Sequence, residues 1–224
     1  MPGDRIAGAT QGCCTHGSLR HLDRPDMEDA MTRSLLRTVY AAAAVPLLVS
    51  AAASQSAPGE PRFRAQRLEM VRRHIVGEGI KDSATLRAMR EVPRHEFVPA
   101  EHRDEAYENH PLPIGLGQTI SQPYIVAYMT EIVKPRPGMR VLEVGTGSGY
   151  QAAILAATGA EVYTIEIFGA LAASARARLA RLGYQRVTVR HGDGHHGWPD
   201  AAPFDAVVVT AAAGHIPPAL VRQL

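Results

Sequence analysis

Val141-Leu-Glu-Val-Gly-Thr-Gly-Ser-Gly-Tyr150 is the stretch whose reading decides the fold. An apolar run ends in three alternating glycines, and Gln151-Ala-Ala-Ile-Leu-Ala-Ala157 continues with helix-forming residues. Strand, tight turn and helix start in that order make the βα turn that binds nucleotide-like cofactors in doubly wound sheets. The spacing separates cofactor classes. Gly145, Gly147 and Gly149 fall at G-x-G-x-G, so the third glycine comes one position earlier than in the dinucleotide fingerprint. Glu143 stands two positions before the first glycine. A carboxylate there repels a pyrophosphate and favours a cation. S-adenosylmethionine (SAM), with a sulfonium and an ammonium but no phosphate, suits that electrostatics better than NAD. The candidate cofactor turn is therefore Glu143, Gly145, Thr146, Gly147, Ser148 and Gly149. An ordinary strand-to-helix turn is the competing reading.

The residues that follow extend the pattern. Glu161-Val-Tyr-Thr-Ile-Glu166 reads as a second strand, and its terminal Glu166 lies near the spacing of a carboxylate that grips ribose hydroxyls. A helix from Gly169 to Leu182, stopped by Gly183, leads to a third strand, Arg186 to Arg190. Asp193 and Gly194 come just after it, where ligands of open α/β sheets bind. Phe204-Asp-Ala-Val-Val-Val-Thr210 is a fourth strand, apolar enough to be buried on both faces. The order predicts an α/β, Rossmann-like, doubly wound and mainly parallel sheet with right-handed crossovers.

With 224 residues the chain accommodates one domain plus extensions, and 46% hydrophobic residues supply a core. A net charge of +2, with no basic run interleaved with aromatics, argues against nucleic acid as a partner. The Arg-rich stretch from Arg62 to Arg73 reads as a solvated helix face. Cys13 and Cys14 are adjacent, have no CxxC spacing and receive no metal, disulfide or catalytic role. Residues 31–57 resemble a secretory signal: Arg33 and Arg37, then the apolar run Val39 to Val49, then Ser50-Ala-Ala-Ala-Ser54. That run is short and broken by Pro46, so no stable membrane association is expected. Residues 1–30 read as a disordered or spurious extension, with Met31 as an alternative start. At the other end the sequence stops in the helix after strand four. Four parallel strands leave a raw edge, and the expectation is that C-terminal strands are missing.

Residues 58–134 form the region ahead of the SAM-binding domain, which spans 135–224. Two helices are expected between Phe63 and Arg90 around Gly77-Glu-Gly79, with Asp82 or Ser83 capping the second. Val92-Pro-Arg-His-Glu-Phe-Val-Pro99 reads as extended. Next, Pro111-Leu-Pro-Ile-Gly-Leu-Gly-Gln-Thr-Ile-Ser-Gln-Pro123 reads as a loop, before a helix from Tyr124 to Val133. That loop is the substrate-site candidate. Backbone N–H groups near a helix start, with the Ser121 hydroxyl, suit a carboxylate. Alternatively Ser121 only caps the helix.

Gly117-Gln-Thr-Ile-Ser-Gln-Pro123 joined to Val141–Tyr150 resembles the bacterial protein-L-isoaspartate O-methyltransferases. Val92–Val98, Arg190-His-Gly-Asp-Gly194 and Phe204–Ala211 carry further similarity, which runs from about Arg64 to Leu224. The resemblance implies a SAM-dependent methyltransferase fold and methylation of the α-carboxylate of L-isoaspartyl residues in damaged proteins. The ester then closes to a succinimide that hydrolyses partly to aspartate. It implies Ser121 as the active-site residue, with Thr119, Ile120 and Gln122 lining the same loop. It also places Glu166 on the ribose and Asp193 and Gly194 near the adenine. The partners are isoaspartyl-containing proteins and peptides, and the protein is expected to be a monomer. SAM supply favours the cytoplasm, and the signal-like segment is the argument for export. Proteins of this family continue well beyond the position matched by Leu224.

Three rivals remain: a SAM enzyme for another acceptor, an NAD-dependent oxidoreductase, and a non-catalytic SAM-binding module. The Thr119-Ile-Ser-Gln-Pro123 run argues against the first, and the glycine spacing with Glu143 against the second. His191, His195 and His196 cluster in a glycine-rich loop, but a metal needs more ligands on rigid elements. No metal is assigned.

Overall fold

The computed structural model describes residues 60–212 and 214–224. The signal-like segment 31–57, the extension 1–30 and the Cys13–Cys14 pair lie outside the described residues. Helix α1, Glu60–Met70, passes directly into a wider π turn, Val71–Val76. Helix α2, Ser83–Glu91, starts where expected because the Asp82 carboxylate accepts the Thr85 N–H at 2.7 Å. The segment expected to be extended, Val92–Pro99, instead holds a 3-10 turn at Arg94–Phe97. Burial explains that change. The turn drives Arg94, His95 and Phe97 inward, and a straight strand would alternate them in and out.

The loop from Pro111 to Pro123 is also more ordered than its composition suggests. Strands β1, Leu112–Gly115, and β2, Gln118–Ile120, form an antiparallel hairpin. Its tip is Gly115-Leu-Gly117, where all three residues take positive φ. Buried Leu112 and Ile120 face each other in the pair and anchor it to the core. Helix α3, Pro123–Val133, follows with proline at its start.

The main sheet comprises β3, Arg140–Val144; β4, Glu161–Glu166; β5, Val187–His191; and β6, Ala206–Val209. Its order is β5-β4-β3-β6 and every pair is parallel. Helix α4, Tyr150–Ala157, joins β3 to β4, and α5, Gly169–Arg181, joins β4 to β5. The order runs outward from β3 in one direction and then returns to its other side, so the chain reverses between β3 and β6. Ligands of open α/β sheets bind outside the carboxyl ends of strands at such a reversal. A short helix α6, Pro218–Val221, follows β6.

Strand β3 is buried on both faces. Val141 packs with Ala152, Leu155 and Val162, whereas Leu142 packs on the opposite side with Ile165, Phe204 and Leu220. By contrast β6 is less buried than its apolar run predicts, and Val209 is 37% exposed. It pairs only with β3 and is an edge strand among the described residues.

The helices ahead of the sheet share a core with it. Met70, Ile75, Met89 and Phe97 cluster with Tyr150, Ile154 and Leu179 from α4 and α5. The Phe97 ring lies 5.4 Å from that of Tyr150 and 6.2 Å from that of Tyr184. Phe97 is thus the plug between the two parts. Phe97→Ala is expected to lower the unfolding free energy by about 3–5 kcal/mol, read by urea denaturation; a loss below about 1 kcal/mol would show that the two parts do not share one core.

Candidate active site

Three positive-φ glycines carry the chain from β3 into α4: Gly145 at 105°, Gly147 at 52° and Gly149 at 89°. Space matters as well as φ. A Cβ on Gly145 would lie 2.7 Å from Thr210 Oγ1, and one on Gly149 would lie 3.1 Å from the Leu179 side chain. The turn is held from several directions. Gly145 N–H donates to the Ile165 carbonyl at 2.8 Å. Gly147 N–H donates to Glu166 Oε2 at 2.7 Å. Thr210 Oγ1 donates to the Gly145 carbonyl at 2.6 Å, and Arg178 Nη1 donates to the Ser148 carbonyl at 2.9 Å.

A cavity of about 410 Å³ opens outside the carboxyl ends of β3, β4 and β6. Thr119, Gly145, Gly147, Glu166, Asp193 and Gly194 from the sequence reading all line it. Gly194 is there of necessity, because a Cβ would sit 2.3 Å from Val144 Cγ1. The Asp193 carboxylate accepts the His195 N–H at 2.8 Å and so fixes the turn beyond β5. Glu166 already accepts Gly147 N–H through Oε2 and Phe168 N–H at 3.0 Å through Oε1. Each oxygen keeps further lone-pair capacity, so the side chain is aligned rather than used up.

A second, smaller cavity of about 40 Å³ borders the first. Thr119, Ile120 and Ser121 meet Glu143, Gly145, Thr146, Gly147 and Ser148 around it. Gln122 and Gly149 line neither cavity. Ser121 is not a helix cap. Gln122 occupies the cap position of α3 without a side-chain bond, and Asn109 Oδ1 accepts the Tyr124 N–H at 3.2 Å. The cap thus comes from a distant residue, and the Ser121 hydroxyl is left free for other work.

Glu143 differs from the sequence reading. It lines the small cavity, not the large one, and is 0% exposed. Thr164, its register partner on β4, donates a hydroxyl to Glu143 Oε2, and the Thr146 and Thr164 hydroxyls lie 2.6 Å apart. Burial pushes the Glu143 carboxyl up to about 8. The Thr164 hydroxyl pulls it down, and nearby Glu166 adds to the rise. Burial therefore favours the protonated form of this side chain. A strand position alone does not reveal such full enclosure.

Several lining residues escaped the sequence reading: Ile167, Phe168, Thr210 and His215. Ile167 and Phe168 carried a usable signal, an apolar pair directly after the strand-end acid; they are 61% and 38% exposed. The histidines do not converge. His191 Nε2 lies 3.1 Å from the Ile167 carbonyl, and the His195 ring faces His215 at 5.4 Å. Among the described residues no three His, Cys, Asp or Glu side chains form a metal-binding group.

A family model for protein-L-isoaspartate(D-aspartate) O-methyltransferase matches residues 65–224. A Polaromonas protein named protein-L-isoaspartate O-methyltransferase 2 is 60% identical over 148 residues, covering 66% of this chain and 70% of its own length. A Syntrophobacter fumaroxidans protein of the same name is 55% identical over 187 residues, covering 80% and 76%. A solved structure of a protein-L-isoaspartate O-methyltransferase superposes with a TM-score of 0.65 at 30% identity. It covers 72% of this chain, which spans about half, 52%, of that chain.

The protonation of Glu143 has a measurable consequence. The unfolded chain ionises this group near 4.5, so its contribution to stability is complete below that pH and is lost as pH rises through about 8. Glu143→Gln has no charge to suppress. Its melting temperature relative to the parent is expected to rise steadily from pH 4 to pH 8, followed by circular dichroism; a difference that does not change with pH would contradict a buried neutral acid.

Proposed function

The chain belongs to the protein-L-isoaspartate(D-aspartate) O-methyltransferase family, and on that premise we propose that it repairs proteins by methylating the α-carboxylate of L-isoaspartyl residues, with Ser121 at the acceptor. The observation that carries this reading is the junction of the two cavities. Thr119, Gly145, Gly147 and Thr210 line both, so an acceptor beside Ser121 lies next to whatever fills the larger space. The donor set of the larger space suits SAM. Glu166 supplies a carboxylate for ribose hydroxyls, and Gly145 and Gly147 leave room for close approach. Ile167 and Phe168 offer apolar surface for a base, with Asp193 and Gly194 beside it. When bound, SAM supplies a methyl group on a sulfonium.

An isoaspartyl carboxyl, with an ordinary pKa of roughly 3.5–4, is already ionised at neutral pH and needs no general base. The protein's work is to hold one carboxylate oxygen in line with the methyl group. Such positioning is worth about 7–11 kcal/mol in favourable cases. Ser121 orients the acceptor by donating a hydrogen bond, with Thr119 and Ile120 shaping the wall and Gln122 setting the start of α3. Two opposite charges vanish as the methyl moves, so a water-poor cavity favours the step. The resulting ester closes to a succinimide without further help from the enzyme. Dependence on SAM supply supports a cytoplasmic location, and the enzyme is proposed to act as a monomer on ageing proteins and peptides. No helix among the described residues is long and apolar enough to cross a membrane.

Incubation of the protein and SAM with an isoaspartyl peptide and its aspartyl twin is expected to add one methyl group to the former alone, read by mass spectrometry. Methylation of both would overturn the specificity. Ser121→Ala is expected to lower kcat about 10–100-fold, the loss of a hydrogen bond to a charged group, with the SAM dissociation constant within about threefold. Glu166→Gln is expected to weaken SAM binding in a calorimetric titration; unchanged affinity would remove its ribose role.

A further inference from the structure

Arg94 carries a buried positive charge that the fold leaves unanswered. Its side chain is 0% exposed. Nε donates to the Ala106 carbonyl at 2.8 Å, but neither Nη1 nor Nη2 has a hydrogen-bond partner. Among the described residues no carboxylate pairs with it, and Glu96, two positions along, is taken by Arg181 at 2.8 Å. The ionisable groups facing it are Tyr107 and Tyr150, both phenols that burial keeps neutral. Arg67, the other buried guanidinium, shows the usual solution by pairing with Glu60 at 3.2 Å. A guanidinium cannot shed its charge. Enclosing one without a counter-ion costs stability, and unmet buried donors call for a reason.

The reason lies beyond Tyr150. The Arg94 guanidinium carbon sits 4.9 Å from the centre of the Tyr150 ring. Tyr150 opens α4 and also lines the small cavity that holds Ser121. The polar lining of that cavity is made of hydroxyls, backbone groups, the Gln151 amide and the Glu143 carboxyl, with no Lys, Arg or His. A carboxylate acceptor entering it meets no cation in the wall. Arg178 reaches the same turn through the Ser148 carbonyl, but it is only half-buried and solvent screens its charge. Arg94 is fully enclosed, so its field extends through the low-dielectric interior.

We infer that Arg94 is the fixed positive charge that selects an ionised acceptor for the Ser121 cavity, acting from behind the wall without touching it. The chemistry states where its effect falls. As the methyl group moves, its bond to sulfur breaks, a bond to a carboxylate oxygen forms, and the acceptor loses its charge. A fixed cation favours the carboxylate over the neutral ester, so it strengthens acceptor binding and ester release and does not speed the transfer itself. Arg94 is therefore a positioning residue whose loss appears in KM. Its unmet Nη groups are a stability cost kept for function. The inference rests on the assignment of the Ser121 cavity to the acceptor.

The test compares an isoaspartyl peptide with its twin carrying a carboxamide in place of the α-carboxylate. Both are titrated by calorimetry at pH 7 into protein loaded with S-adenosylhomocysteine, the spent cofactor. The wild type is expected to bind the carboxylate at least about tenfold more tightly, the effect of one unit charge across about 12 Å at an effective dielectric of about 20. Arg94→Met is expected to weaken the isoaspartyl peptide about tenfold and the carboxamide twin less than about threefold. In turnover it is expected to raise KM with kcat retained, and its melting temperature is expected not to fall, because an unpaired buried charge has been removed. Arg94→Lys, which keeps the charge, is expected to retain the preference. Equal weakening of both peptides marks a purely structural role and overturns the inference. So does an unchanged isoaspartyl affinity, or a wild type that binds the two peptides alike, a result that needs no variant to fold. Ser121→Ala separates the two assignments: if it loses turnover while Arg94→Met binds both peptides as the wild type does, Ser121 stands and the role of Arg94 does not.

Discussion

The structure depends on a turn that no single element could hold. Between β3 and α4 the chain passes three glycines in left-handed or related backbone conformations, which cost ordering entropy and have no side chains to pack. Three separate parts of the fold secure it. Ile165 and Glu166 of β4 take its N–H groups, Thr210 beyond β6 takes the Gly145 carbonyl, and Arg178 of α5 takes the Ser148 carbonyl. The consequence is a backbone surface fixed at the mouth of the sheet, where a ligand is met by a preorganised wall rather than by a loop that must be ordered first.

The helical part ahead of the sheet supplies the other wall of the site. Its attachment is mostly apolar and aromatic, with the buried Arg94 guanidinium at the seam. Arg94 is fully buried, donates Nε to the Ala106 carbonyl at 2.8 Å and lies 4.9 Å over the Tyr150 ring. Desolvation pulls its pKa down to about 10, yet it stays charged at neutral pH. The Arg181–Glu96 pair, at 2.8 Å, ties α5 to the same segment. Tyr150 is the shared element. It opens α4, touches Phe97 and Arg94, and stands in the wall of the small cavity. Packing between the two parts therefore sets the distance from the hairpin to the glycine turn.

Some of this was legible in the residues. Gly-x-Gly-x-Gly after an apolar run, and acids after the second and third strands, located the cofactor wall because backbone sterics and strand-end position are local properties. Asp82 was legible as a cap for the same reason. The hairpin at Leu112–Ile120 was not, because a strand of three or four residues rich in glycine and proline carries no usable alternation. The turn at Arg94–Phe97 was missed since prolines on both sides favour extended backbone, and burial of three side chains overrode that preference. Thr210 gave no signal either; it matters only because β6 lies beside β3.

The amino-acid sequence by itself determined the parallel α/β architecture, the cofactor turn and the family to which the chain belongs, since these rest on short-range patterns and on spacing. Only the tertiary structure decided that Asn109 rather than Ser121 caps α3, that Ser121 shares a small cavity with Glu143 and Gln151, and that Glu143 is fully enclosed there. Those outcomes depend on which distant side chains enclose a group and exclude water from it. A chain read residue by residue gives a carboxyl its identity, but only its enclosure sets its charge.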